Sequence, residues 1–323
     1  RTDKFETYNP SVDWQDKTFG DIFTQSYPLY RALQDQSDDP VALALAKLLR
    51  VSIMHRMTDM YGPIPYSKVI DKQGGVSLNV PYDSQEEVYA QMLKDLNEVT
   101  DVLKENLSLG TEAFRKFDDV YYGDLGKWYK YANSLKLRMA IRMAYVDPTT
   151  AQQVAQDAVD AGVLTANIDN AQMTVEENRA SMVFNGWSDH RVGADLLCYM
   201  NGYQDPRRDK MFTQVEITET VGGKPIKVSG FAGIRIGIDV ANKESVIDRY
   251  SKPIISTSSP YLWMTAAEVT FLRAEGALRN WSMGGDAKEL YEEAIALSFE
   301  QYGLPATDAI AYAANASNTP QAY

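Results

Sequence analysis

One cysteine, Cys198, and two histidines, His55 and His190, are the whole supply of thiol and imidazole in 323 residues. A lone cysteine closes no disulfide within the chain, and two histidines fall short of most zinc sites, so thiols leave the redox compartment open. Long apolar runs are missing too: no stretch of about 18 residues is free of charge, which excludes an obvious membrane-spanning helix. The first ten residues, RTDKFETYNP, have no basic start leading into an apolar run of the secretory kind. Positive charge is scarce. Thirty-two Lys and Arg stand against 44 Asp and Glu, a formal net charge of −12, with the basic residues scattered. Nucleic acid and anionic lipid surfaces would repel such a chain. GGK at 222–224 and GIRIG at 233–237 lack the strand-to-helix context of a phosphate loop, and no carboxylate spacing matches a calcium-binding EF-hand loop. We expect neither a metal site nor a cofactor.

Apolar and aromatic residues are plentiful. Hydrophobic residues make up 45% of the chain, enough for one large core or two modest ones, and tyrosine is twice as common as phenylalanine, 20 against 10, with 5 Trp. Tyrosine and tryptophan join an apolar face to a polar tip, which suits half-exposed surfaces; most of them nonetheless belong between helices.

Helical periodicity recurs with explicit boundaries. Asp39-Pro40 is an N-cap followed by proline at the first helical position, opening VALALAKLLRVSIMHRMTDMYG up to Gly62; apolar nearly all round, this helix is expected to be buried. Ser84 and Glu87 form a capping box, after which Val88, Met92, Leu96, Val99 and Leu103 fall on one face. A third helix, from about 124 to 146, aligns Trp128, Tyr131, Ala132, Leu135 and Met139 and is stopped at Asp147-Pro148; Thr150 with Gln153 then caps a short helix ending at Gly162. Later, Thr265 with Glu268 reads as a second capping box, with Met264 and Val269 as its hydrophobic staple. Its partner helix starts at Asp286 and carries Tyr291, Ala294, Ile295, Ser298 and Tyr302 as an inner stripe. Small residues facing bulky ones suggest tetratricopeptide-like antiparallel packing without the constant period of a regular solenoid.

Between the helical blocks, Val/Ile/Thr alternation around Gly222-Gly223 predicts a short β-hairpin, and 163–210 is irregular apart from a short helix over LLCYM. The fold class expected is mainly α: a helical-hairpin scaffold over about 20–162 and 261–304, with a loop-rich insertion over about 163–260, all within a single domain, 1–323.

Five blocks also resemble, in order, the SusD/RagB family of outer-membrane nutrient-binding lipoproteins of Bacteroidetes. They are RMTDMYGPIPY at 56–66, YDSQEEVYAQMLKDLNEV at 82–99, GDLGKWYKYANSLKLRMAIRMA at 123–144, DPRRDKMF at 205–212 and MTAAEVTFLRAEGALRNWSMGGDAKELYEEAIALSF at 264–299. The last, with Ala-Glu-x-x-Phe-Leu-x-Ala-Glu followed by Gly-Asp, is the most specific. Two departures stand out: the lipid-attachment cysteine is missing, and so is the family's usual C-terminal region with its Gln-Lys-Trp block. The chain is therefore expected to be a fragment or an incompletely ordered protein, any export signal or lipid anchor having been lost before residue 1. The resemblance implies a non-enzymatic protein, lipid-anchored and exposed at the outer-membrane surface. It would take up an oligosaccharide, or a peptide, and deliver it to a SusC-like TonB-dependent transporter. Pro63 and Pro65 would end the first scaffold helix and launch the 62–82 loop towards the surface.

Glycan binding needs flat ring faces for the apolar sides of sugars and planar polar groups for their hydroxyls. VFNGWSDHRVGADLLCYMNGYQDPRR concentrates such groups, and Trp187, Asn185, Asp189, Arg191, Tyr199 and Tyr203, joined by Tyr66 in the proline-launched loop, are the expected ligand contacts. Asp205-Pro206-Arg207-Arg208 reads as a structural turn. No catalytic residue is expected: Ser188-Asp189-His190 are too close in sequence to orient on one another as a triad. The carboxylate pairs Asp118-Asp119 and Glu292-Glu293 do not promise the facing acids of a glycosidase. A helical glycoside hydrolase or lyase and a peptide-binding repeat scaffold remain the alternatives.

Overall fold

The computed structural model describes residues 11–69, 79–238, 240, 242–244 and 246–315. Its elements run α1 (Val12–Gln36), α2 (Pro40–Tyr61), α3 (Gln85–Glu105), α4 (Leu125–Met143), α5 (Pro148–Ala161), β1 (Ala171–Met173), α6 (Ala194–Gly202), α7 (Arg208–Met211), β2 (Val215–Val221), β3 (Lys224–Gly230), β4 (Tyr261–Met264), α8 (Ala266–Leu278), α9 (Ala287–Gln301) and α10 (Ala306–Ala314). The chain divides into two compact units. One holds Val12–Ala171 and Met264–Tyr291; the other holds Gln172–Trp263 and the chain from Glu292 on. The fold is mainly helical, as the periodicity and caps predict.

In the helical unit α1 packs on α2, α2 on α3, α3 on α4, and α4 on both α5 and α8. The boundaries have local causes. Asp39 Oδ1 accepts from the amides of Val41 and Ala42 at 2.8 and 3.2 Å, with Pro40 at the first helical position. Ser84 and Glu87 form the complete reciprocal capping box. Thr265 accepts from the Glu268 amide at 3.2 Å, but the Glu268 carboxylate is taken by Arg138 in a two-pronged pair of 2.7 and 2.8 Å. Asp286 caps α9 through the amides of Lys288 and Glu289, both at 2.9 Å. Each such cap contributes about 1 kcal/mol.

The core follows the predicted stripes where one face is strongly apolar. Val88, Met92, Leu96, Val99 and Leu103 are buried on α3, and Trp128, Tyr131, Ala132, Leu135 and Met139 on α4. Burying each large side chain contributes roughly 1.5–3 kcal/mol.

Four local expectations are corrected. The cap of α5 is Asp147, whose Oδ1 accepts from the Thr150 amide at 3.1 Å, so the residue pair that ends one helix also starts the next. The scaffold begins at Val12, and α1 runs through Pro28. An interior proline costs roughly 3 kcal/mol, which burial of Phe23, Tyr27 and Tyr30 offsets. On α2, burial is one-sided, with Leu49, Ile53 and Met60 exposed. On α9 the buried residues are Leu290, Ala294, Ile295 and Phe299, whereas Tyr291 is 54% exposed.

In the second unit β2 and β3 form the expected antiparallel hairpin, in register from Val215 opposite Gly230 to Val221 opposite Lys224. Gly222 and Gly223 have φ of 59° and 78°, the left-handed pair that a tight two-residue turn demands. α6 sits on a small core of Val192, Leu197, Met200 and Phe212, flanked by Met211 and Phe231. The Asp205-Pro206-Arg207-Arg208 turn is structural. Arg207 grips the Asp205 carboxylate, donates to Ser298 Oγ at 2.8 Å and lies 4.9 Å from the Phe299 ring centroid.

Candidate functional site

The proline stretch after α2 turns the chain inward, while residues 70–78 of the loop expected to reach the surface lie outside the described residues. Gly62 caps α2 at φ 74°, its amide bonded to the Thr58 carbonyl at 2.8 Å. Ile64 and Asp83 then exchange backbone hydrogen bonds, and the Asp83 carboxylate accepts from the amides of Tyr66 and Ser67 at 3.1 and 2.7 Å and from Ser67 Oγ at 2.8 Å. Burial alone would raise the pKa of Asp83; the Ser67 and Tyr66 hydrogen bonds outweigh it and hold the carboxyl below its usual range. The segment is thus clamped at its base.

Tyr66 is placed differently from the expectation. Its side chain is 1% exposed, its hydroxyl donates to Asp95 Oδ2 at 2.6 Å, and the Arg50 guanidinium carbon lies 4.7 Å from its ring centroid. Arg50 is also ion-paired with Asp95 and sits 4.9 Å from the Tyr30 ring. Desolvation raises the phenol pKa well above 10 and keeps it neutral. Tyr66 is the bolt that fixes the loop to α2 and α3, and its ring is closed to ligand. The signal was available: a tyrosine between two buried helices and a basic residue on one of them.

The other six expected contacts lie in the second unit. A turn of π-helix over Met182–Gly186 ends at Trp187, whose amide bonds back to the Met182 carbonyl at 2.7 Å and whose side chain is 59% exposed. Ser188 follows with φ 57°, which reverses the chain and leaves the indole outside. Lys243 Nζ ties this corner together, donating to the Trp187 carbonyl at 2.7 Å and to Asp189 Oδ1 at 3.0 Å. Phe184 and His190 meet edge-on with centroids 6.2 Å apart.

On α6, burial of Ala194, Leu197 and Met200 turns Leu196 and Tyr199 away from the small core, and the half-buried Tyr203 follows as the helix C-cap. Tyr199 is 58% exposed, and its ring lies 6.3 Å from that of Tyr203 at an interplanar angle of 15°. One turn of helix therefore offers two near-parallel phenols.

Two of the six have their polar groups engaged by backbone. Asn185 Nδ2 donates to the Ile255 carbonyl at 2.8 Å. Arg191 donates from Nε to the Ile247 carbonyl at 2.8 Å and from Nη1 to the His190 carbonyl at 2.7 Å. These two side chains tie the loop to the backbone at Ile255 and Ile247. The structure brings Tyr199 and Tyr203 together and joins Asp189 to the Trp187 backbone through Lys243; sequence reasoning did not single out Lys243.

Of the acids weighed as catalytic, Asp118 is held by structural partners. Asp118 accepts from the amides of Val120, Tyr121 and Gly123 and from Trp128 Nε1, the last at 2.7 Å. Among the described residues no group of three or more His, Cys, Asp or Glu could hold a metal ion, and no helix is long and apolar enough to cross a membrane.

A family profile, SusD-like, described as Susd and RagB outer membrane lipoprotein, matches residues 1–323. The chain belongs to the SusD/RagB family. Solved relatives agree with it along nearly all of its length. A SusD homologue from Bacteroides thetaiotaomicron is 48% identical with a TM-score of 0.90, covering 99% of this chain and 64% of that one. A SusD homologue from Bacteroides ovatus is 44% identical with a TM-score of 0.84, covering 95% and 62%. A chitin-binding SusD homologue from Flavobacterium johnsoniae is 34% identical with a TM-score of 0.85, covering 99% and 65%. The SusD-like chain thus spans just under two thirds of the length of these structures. No curated protein sequence matches it.

Proposed function

We propose that this SusD-like chain belongs to a non-enzymatic, lipid-anchored glycan-binding protein of the outer-membrane surface, which captures an oligosaccharide and hands it to a partner TonB-dependent transporter. The observation that carries the reading is the pair of aromatic elements in one unit: the solvent-facing Trp187 on its reversed corner, and the exposed Tyr199 near the end of α6 with the half-buried Tyr203 nearly parallel to it. Ring faces of this kind cover the apolar faces of pyranose rings, while flanking polar groups, here Asp189 and Lys243, take up hydroxyl or amide hydrogen bonds. Family membership and the chitin-binding relative support a sugar ligand, and β-linked N-acetylglucosamine oligomers are the first probe to try. The role needs no reacting acid pair, consistent with Asp118 being committed to backbone amides.

Isothermal titration against a panel of plant, host and microbial oligosaccharides tests the reading. Saturable heat with at least one glycan, weakened tenfold or more by Trp187→Ala or Tyr199→Ala, is the expected result. No heat with any glycan, alongside binding to a peptide library, overturns the sugar ligand; turnover of a chromogenic glycoside overturns the non-enzymatic role.

A further inference from the structure

In the helical unit, α3, α4 and α5 line a polar cavity of about 230 Å³. Lys136 of α4 reaches into it beside Tyr129 of the same helix; Thr100, Asp101 and Lys104 line it from α3, and Asp157 from α5. The Lys136 amine donates to Thr100 Oγ1 at 2.7 Å. The Thr100 hydroxyl proton is itself directed at the carbonyls of Leu96 and Asn97, both at 3.0 Å, so the oxygen is left as an acceptor. Among the described residues no carboxylate lies within ion-pair distance of Lys136 Nζ. Asp101 and Asp157 influence it only from farther away.

Such a setting favours an uncharged amine. Burial pushes the Lys136 pKa down to about 8, opposed by Asp101 and then Asp157. At pH 7 roughly one amine in ten is then unprotonated, against about one in three thousand for an ordinary lysine. With one N–H held by Thr100, the nitrogen lone pair remains for the cavity. A desolvated lysine of this kind is the usual nucleophile towards carbonyl compounds.

The surrounding charges choose among electrophiles. Addition of carbon dioxide would place a carbamate anion near Asp101 and Asp157, with Lys104 the facing cation. An aldehyde gives the opposite sign. The amine nitrogen bonds to the carbonyl carbon, and the resulting carbinolamine loses its hydroxyl together with an amine proton as water. The imine then takes up a proton, and the two carboxylates stabilise the cation.

We propose that Lys136 is a Schiff-base-forming amine and that the α3–α4–α5 cavity accepts a small aldehyde, up to the size of an open-chain monosaccharide. The volume is below the roughly 300–1,000 Å³ of ordinary ligand pockets, which restricts the class to small carbonyl compounds. This does not depend on how the aromatic elements are used.

The test is reductive trapping on the whole chain. The protein is incubated briefly with glyceraldehyde and sodium cyanoborohydride at a series of pH values, and the adducts are mapped by peptide mass spectrometry. At pH 7 Lys136 is expected to be labelled at least tenfold faster than exposed lysines such as Lys94, with a rate that levels off above about pH 8. Above about pH 9, where the Lys136 amine is unprotonated in either protein, Asp101→Asn with Asp157→Asn should slow trapping at Lys136 and leave Lys94 unchanged. Labelling of Lys136 at or below the rate of Lys94 overturns the proposal, as does a Lys136 rate still climbing in parallel with exposed lysines above pH 9.

Discussion

Removing Asp95 from the bolt under the 62–83 loop is expected to cost far more than removing the whole ion pair. Asp95 is 5% exposed in its side chain and Arg50 14%; the carboxylate accepts from Arg50, from the Tyr66 hydroxyl at 2.6 Å and from Gln91 Nε2 at 3.0 Å. Asp95→Leu leaves the Arg50 cation with only the faces of Tyr30 and Tyr66 and a 3.3 Å contact to the Tyr66 oxygen. A buried charge deprived of its partner costs about 3–5 kcal/mol, a fifth or more of the total stability of an ordinary domain, about 5–15 kcal/mol. The double variant Arg50→Met, Asp95→Leu replaces both charges with apolar groups of similar volume, so it should lie within about 1–2 kcal/mol of the parent, the residual being the lost Tyr66 partner. Urea unfolding followed by far-ultraviolet circular dichroism and tryptophan fluorescence, run as a double-mutant cycle, measures the difference. A single variant no less stable than the double variant would refute the reasoning. The charge would then be better hydrated than its burial implies.

Acid sensitivity should show two separate windows. Burial, only partly opposed by Asp59, lowers the His55 pKa to about 4, and its Nε2 accepts from Arg142 at 2.5 Å, so the folded state holds a neutral imidazole. Between about pH 6.5 and 4 the unfolded chain binds the extra proton, so stability should fall with pH by up to roughly 3 kcal/mol; His55→Gln, which keeps an acceptor for Arg142, should flatten that limb in pH-dependent urea titrations. Asp83 has the depressed pKa of a well-bonded carboxylate, so its contribution is present above the ordinary value of 3.8 and is lost only as pH falls below it. Asp83→Ala should speed proteolysis near 62–83 at neutral pH while the far-ultraviolet spectrum stays the same. Ser84→Ala should cost about 1 kcal/mol through the lost α3 cap, read from the shift in the urea midpoint.

The scaffold was legible where one local signal acts alone. Asp39-Pro40, Ser84 with Glu87, and Gly222-Gly223 each fix a boundary through their own backbone amides or φ angles, and each lies where its residue types require. The α3 stripe was legible because its apolar face is narrow and continuous. Reading failed where two effects compete. Pro28 hides α1, since its intrinsic cost is visible in sequence while the burial of Phe23 and Tyr27 that outweighs it is tertiary. Tyr291 reads as core by spacing, yet Leu290, one residue earlier, takes the buried position. The expected ligand contacts divide in the same way. Exposure of Trp187 and Tyr199 agrees with a chemistry that needs open rings. Asn185 and Arg191 carry the right groups, but those groups are claimed by the carbonyls of Ile255 and Ile247, more than fifty residues away in sequence. Tyr66 carries the right ring in the wrong place, because Arg50 and Asp95 draw its hydroxyl into the core.

Calorimetric titration of the parent chain, Trp187→Ala and Tyr199→Ala with oligosaccharides, beginning with N-acetylglucosamine oligomers, tests the central claim most directly. The account predicts saturable binding by the parent and a loss of tenfold or more, about 1.4 kcal/mol, in each variant, with circular dichroism unchanged. Binding of equal strength in all three proteins, or no binding to any glycan tried, would contradict it.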